Sequence, residues 1–349
     1  MTRLRAAAAA SALLWLVAAW LDPARALRAY LLGWDFWLGL SAGCLGLALL
    51  HQLTGGAWGR DLAPAWRAGL AALPAMAALS LPVLVCAHRI YPWAGVHPPR
   101  GINAAWLNAP FFAVRGIGYL SFYCLVARRL SAWTAAHPDK PWPGSAPALI
   151  GWFLAASFAG IDWLMSLEAP WTSAAYGAAN AVAYALSALA AGALLVGGRP
   201  ELRPVGGQDG APRRLQDLGN LLLAFVLLSA YLAFSQYLIL WSANLPEEIP
   251  WYLRRSRGGW HWLTLSLALF HLAAPLGLLL MRRIKRDPRT LAFAGLLVLV
   301  AHAAARAWLI LPAFLERPAA SLVEPLAWLA VAAVWCAAAW PSLAAERPA

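Results

Sequence analysis

Ten apolar runs, each near the length needed to cross a bilayer, occupy most of this chain: residues 6–21, 35–53, 68–88, 109–127, 147–165, 173–197, 217–241, 260–281, 290–312 and 322–340. A hydrocarbon core about 30 Å thick takes about 20 apolar residues of helix. In lipid every backbone amide must be satisfied within its own segment, so runs like these fold as helices. Composition agrees, with 62% of residues hydrophobic and 12% charged, about half the charged share of a soluble domain. The expected fold class is an all-α integral membrane protein of about ten transmembrane helices. The first run has two readings. Arg3, Arg5 and Ala24-Arg25-Ala26 look like a signal peptide and its cleavage site. Trp15 and Trp20 suit a retained, bilayer-anchored helix, and the retained helix is the expectation.

The net charge is +12, and its distribution excludes nucleic acid as the reason. Lys and Arg outside the runs number 17 on one side of the implied membrane and 8 on the other. The positive-inside rule then places both termini in the cytoplasm and residues 166–172 and 242–259 outside. The expected partner of this surface is the lipid bilayer. Cys44, Cys86, Cys124 and Cys336 are scattered through apolar segments, without the clustering that zinc or iron–sulfur sites need. They read as small packing residues, and neither a metal site nor a covalently held cofactor is expected.

Residues 198–216, rich in Gly, Pro and Arg, form the one good linker candidate. They divide the chain into two N-terminal helices (1–67), a first four-helix bundle (68–197), a cytoplasmic linker (198–216) and a second four-helix bundle with the C-terminal tail (217–349). IYPW at 90–93 answers to IPWY at 249–252, and DWLM at 162–165 to AWLI at 307–310. These echoes suggest duplication of a four-helix unit, a pattern known in membrane folds.

Functional information in such a chain sits in polar side chains at depth. Arg115 lies about two turns into the fourth run and Asp162 near the end of the fifth. Paired, they would neutralise one another, either as a structural lock or as a functional site. Glu168 follows Asp162 before Pro170, and reads otherwise as a solvated interfacial acid. Glu247 and Glu248 sit in a loop with Arg254, Arg255 and Arg257. They are either counter-charges to those arginines or a docking surface for a partner. Ser229 and Gln236 share a helix face and read as helix-to-helix hydrogen bonders. His271 and His302 lie near mid-membrane, His261 opens the eighth run, and Arg306 is one turn beyond His302. Two histidines could clamp a haem, but the repeated His pairs of such sites are absent. A proton relay, or donation to a quinone carbonyl, suits them better.

Several segments carry a family likeness. SFAGIDWLMSLEAPWTSAAYG (157–177) resembles the signature of the second quinone-binding membrane subunit of alternative complex III, a bacterial quinol:electron-acceptor oxidoreductase. WLNAPFFAVRGIGYLSFY (106–123), RIYPWAG (89–95), the stretch 217–252 and GGWHW (258–262) extend the likeness over roughly residues 35–315. The resemblance implies kinship to polysulfide-reductase-type anchors, built as two four-helix bundles, in a bacterial inner membrane. It implies an iron–sulfur protein, a multihaem cytochrome and a second quinone-binding membrane subunit as partners, with quinone or quinol as the candidate ligand. It also implies quinone handling or proton movement without a redox centre in this subunit. Arg115, Asp162, Glu168, Glu247 and Glu248 match polar positions of the family pattern. AAARAWLILP (303–312) lacks the acid that precedes the Trp in that pattern. The alternatives are a purely structural anchor for soluble redox subunits and a stand-alone transporter or channel.

Overall fold

The structure is a computed structural model that describes residues 10, 12–13, 15–17, 19–97, 99–199, 210–319 and 321–344. Among the described residues there is no strand, and nine helices are long and apolar enough to cross a membrane. The chain is an all-α, multi-pass membrane protein. The spans are α1 (Pro23–Thr54), α2 (Ala57–Val85), α3 (Ala109–Ala136), α4 (Ser145–Trp163), α5 (Tyr176–Gly198) and α6 (Gly210–Ala243), then, after the short α7 (Ile249–Ser256), α8 (Trp260–Leu280), α9 (Pro288–Ile310) and α10 (Val323–Ala344). Of the expected first helix, 6–21, the described residues (10, 12–13, 15–17 and 19–21) are all helical, and the others lie outside the described residues. One end of the bundle carries the longer connections 86–108, 164–175, 244–259 and 311–322; the opposite end carries the shorter ones.

Three helices open on the same device. Asp22, Asn108 and Asp287 accept the backbone N–H of Arg25, Phe111 and Thr290, and a proline follows in the first turn each time. The side-chain oxygen satisfies one orphan donor and the proline gives up an N–H that the helix does not need there.

α1 corrects one expectation, because it begins at Pro23 rather than at residue 35. Arg25 and Arg28 had marked 22–34 as a loop. Both are accommodated at a helix end: Arg25 Nε lies 3.4 Å from Glu324 Oε1, and the Arg28 guanidinium sits 4.4 Å over the Phe314 ring. A second difference concerns the linker, of which 200–209 lies outside the described residues. Residues 210–216 are the first turns of α6. Arg214 there pairs through two nitrogens with the buried Asp61 of α2, which fastens this end of α6 to the bundle.

α1 is the most enclosed span, with 72% of its apolar window buried. It packs on α2, α4, α5 and α10. The approach to α5 is close because Gly43 has no side chain; a Cβ there would overlap the Tyr184 carbonyl. In lipid, where apolar side chains gain nothing by leaving water, such small-residue contacts hold helices together by packing. α9 lies against α5 in the same way through Gly295, whose Cβ would fall 2.6 Å from the Ala190 carbonyl. α8 is the least buried span, at 11%, and together with α6 it covers the outer side of α5 and α9.

Candidate functional site

Asp162, in the last turn of α4, is fully buried and its carboxylate is saturated. Arg115 Nε donates to Oδ2 at 2.7 Å and Nη2 to Oδ1 at 2.8 Å. The Tyr119 hydroxyl adds a bond to Oδ2 and Trp106 Nε1 one to Oδ1, both at 2.9 Å. Arg115 Nη1 donates to the Trp106 carbonyl at 2.9 Å, and its guanidinium lies 4.0 Å over the Trp106 ring. This is the forked geometry that makes Arg–carboxylate pairs strong. All four lone-pair positions of the carboxylate are taken, and every nitrogen of the guanidinium has a partner.

Glu168 is also paired. Arg254 Nη1 reaches Oε1 at 2.9 Å and Arg255 Nη2 reaches Oε2 at 2.7 Å. Arg255 is 1% exposed, stacks 3.6 Å over Trp251, and donates further to the Trp251, Trp308 and Leu309 carbonyls. Burial pulls its pKa down from the usual arginine value, and Glu168 opposes that shift. Glu168 is therefore the counter-charge of α7 rather than a solvated acid. Among the described residues, Glu247 and Glu248 make no ion pair, so they do not serve the arginines of their own loop. Glu247 is exposed, and Glu248 stands at the N-cap position of α7 without a side-chain capping bond.

The third cluster differs from both. A cavity of about 360 Å³ opens among α5, α6, α7, α8 and α9. Most of its wall is apolar, from Val226, Ala230, Phe234, Leu272, Trp251 and Trp308. Its polar groups are His271, His302 and Arg306, with Asn180, Ser229, Gln236 and Tyr252. Arg306 is 1% exposed and only partly satisfied. Nη1 donates to Asn180 Oδ1 at 2.8 Å and Nε to His302 Nε2 at 3.4 Å, while Nη2 has no partner among the described residues. Its counter-charge is Asp35 of α1, 0% exposed, whose Oδ2 lies 3.4 Å from Arg306 Nε without hydrogen-bond geometry. Asp35 Oδ1 accepts from the Tyr184 hydroxyl at 2.9 Å. Because His302 Nε2 accepts from Arg306, its proton is assigned to Nδ1.

His271 sits 6.1 Å from His302, ring to ring, and its Nε2 has no partner among the described residues. It lies within a π-helical turn, Ala268–Ala273, closed by a bond from the Ala274 N–H to the Leu269 carbonyl. Such wider turns cluster at functional sites. Pro275 follows, without an N–H to give back to the ladder. Near the cavity's loop-side wall, burial pushes the Tyr252 phenol up to about 12, so it holds its proton at neutral pH. An unsatisfied buried donor costs about 1–3 kcal/mol. Arg306 Nη2 is such a donor and His271 Nε2 is a bonding position left open, so this pocket is short of partners.

The structure thus brings together His271, His302 and Arg306 of the expected residues. It places Arg115 with Asp162, and Glu168 with Arg254 and Arg255, in separate ion pairs. His261 stands apart in the first turn of α8 against Trp262. The clusters are neighbours across the core, since Tyr91 is pushed well up by burial and then by the charges of both Asp162 and Asp35. Asp35, Asn180 and Tyr184 were not singled out from sequence. Asp35 fell at the first position of an apolar run and read as its boundary; its setting in WDFW, an acid between tryptophans as in DW at 162–163, was the available signal. Among the described residues no group of three or more His, Cys, Asp or Glu could hold a metal ion. A scan against protein-family models finds no match to this chain, and a search of curated proteins finds none either.

Proposed function

We propose that this chain is the membrane subunit of a quinol:electron-acceptor oxidoreductase complex of the alternative complex III type, and that it holds a quinone headgroup in the cavity between α6, α8 and α9. The observation that supports this is an apolar cavity lined by Arg306 and His271, each of which carries a buried nitrogen, Nη2 and Nε2, without a partner among the described residues. A quinone ring needs a flat apolar slot and hydrogen-bond partners for two carbonyl oxygens, and ligand pockets generally combine a mostly apolar wall with a few placed polar groups. Val226, Ala230, Phe234 and Leu272 give the apolar wall; Arg306, His271 and the protonated Tyr252 are among the polar residues that line it. His271, as a neutral imidazole, can donate to a quinone carbonyl or accept from a quinol hydroxyl. His302, Arg306 and Asp35 continue the polar line from the cavity into the core, the direction a released proton would take.

In this reading the saturated Arg115–Asp162 pair fixes α3 to α4 and takes no part in the chemistry. The subunit lies in a bacterial inner membrane with both termini cytoplasmic, as the distribution of Lys and Arg indicates. The loop-rich end, with Glu247 and Glu248 exposed or half-exposed, then faces the iron–sulfur and multihaem cytochrome partners. The second quinone-binding membrane subunit lies alongside in the bilayer.

The test is binding of a short-chain ubiquinone or menaquinone analogue to the purified full chain, followed by quenching of tryptophan fluorescence. Ala230→Phe places a ring in the cavity, and Ala230 is itself a member of no ion pair. We expect it to weaken binding at least about tenfold, equivalent to ~1.4 kcal/mol, with an unchanged unfolding midpoint. Equal quenching in native and Ala230→Phe protein would remove the quinone from this cavity.

A further inference from the structure

A second concavity, which shares no lining residue with the first and is independent of the quinone reading, has a head and a tail. It lies between α2, α3 and the end of α10 and encloses about 430 Å³. Arg67 of α2, Arg128 and Ser131 of α3 and Ser342 of α10 line one part of it. Leu70, Pro74 and Cys124 line the other.

The order of these residues along their helices sets their depth. α2 runs inward from the short-loop end, so Leu70 and Pro74 lie deeper than Arg67. α3 runs outward to the same end, so Cys124 lies deeper than Arg128. α3 has 28 residues, which makes it about 42 Å long at 1.5 Å per residue, roughly 12 Å more than a hydrocarbon core of ~30 Å. Arg128 is eight residues from the end of α3 and Arg67 ten from the start of α2. At 1.5 Å per residue both arginines stand about 12–15 Å below those helix ends; with the excess shared between the two ends they lie about 6–9 Å inside the acyl boundary, a depth from which a long arginine side chain snorkels to the headgroups. Both are exposed. Ser131 and Ser342 lie nearer their helix ends than the two arginines, on the headgroup side, and the wall below is apolar.

We propose that this groove binds an anionic phospholipid, with the phosphate against Arg67 and Arg128 and an acyl chain along Leu70, Pro74 and Cys124. Basic pockets between transmembrane helices recognise anionic headgroups by this combination of charge and depth, and arginine matches phosphate oxygens with its forked donors. Leu70 and Pro74 belong to α2 and Cys124 to α3, so a bound lipid would staple the two helices at this end.

The experiment uses the purified, delipidated full chain. Phosphatidylglycerol and phosphatidylcholine with identical acyl chains are compared by native mass spectrometry and by the unfolding midpoint. Phosphatidylglycerol is expected to bind at least about tenfold more tightly and to raise the midpoint, and Arg67→Gln/Arg128→Gln is expected to abolish the difference. Arg129→Gln, at the same height but outside the groove, is expected to keep it. Equal binding of the two lipids to the native chain would overturn the proposal, and that comparison stands even if the double variant does not fold. Inorganic phosphate that reproduces the full stabilisation would also overturn it, in favour of a free-anion site.

Discussion

Arg115 and Arg306 are both guanidiniums at depth, and their hydrogen bonding separates their roles. Arg115 meets a carboxylate in two parallel bonds and spends a third on a carbonyl. Arg306 faces its carboxylate obliquely and keeps Nη2 without a partner among the described residues. The first arrangement locks helices; the second leaves a buried donor unpaired. Asp162→Asn therefore tests structure and not binding. It keeps the shape of the carboxyl but strands a buried arginine, and breaking such a pair costs about 3–5 kcal/mol. We expect a large fall in the unfolding midpoint in detergent, while quinone affinity in the folded fraction stays within a factor of about two, since ΔG° changes of less than ~0.5 kcal/mol are small on the affinity scale.

At the scale of elements, α9 owes its first turn to Asp287, whose carboxylate accepts the Thr290 N–H at 2.8 Å. That bond, more than the neighbouring arginine, holds the Asp287 carboxyl below the usual range. A depressed pKa means that the contribution is present above the ordinary carboxylate value and lost as pH falls through the folded one. Asp287→Ala is expected to lower stability by about 1 kcal/mol near neutral pH, and the gap between native and variant midpoints should close on acidification. The spans themselves were legible from sequence because hydropathy is local, and so were Arg115, Asp162 and Arg306 as charges at depth. What pairs with what was not. Glu168 finds Arg255 across 87 residues, and the nearer loop acids Glu247 and Glu248 offered a more obvious but unused counter-charge. The early start of α1 was hidden because Arg25 and Arg28 look like loop residues until Glu324 and Phe314 are seen beside them. Nothing in ALFHLA (268–273) marks a π turn, since its wider winding depends on neighbouring helices and on Pro275 downstream.

For the molecule as a whole, α1 is the axis on which the other spans are assembled. Its contact with α5 leaves no room for a side chain at Gly43, so Gly43→Val should push α5 away and disturb the Tyr184–Asp35 bond with it. Overpacking of this kind costs about 1–3 kcal/mol or more, and the check is a lowered unfolding midpoint with greater protease sensitivity than in a Gly277→Val control, where a Cβ meets only open space. The Asp35–Arg306 pair adds a consequence for biosynthesis. Asp35 leaves the ribosome about 270 residues before Arg306, which at roughly 5–20 residues per second is on the order of tens of seconds. Through that interval the carboxylate has no counter-ion, and an unpaired acid at the centre of a helix resists insertion by about 2.5–3.5 kcal/mol. The helix made early thus carries that cost until a late one arrives, and protonation of Asp35 or a hydrated site in the insertion machinery would lower it.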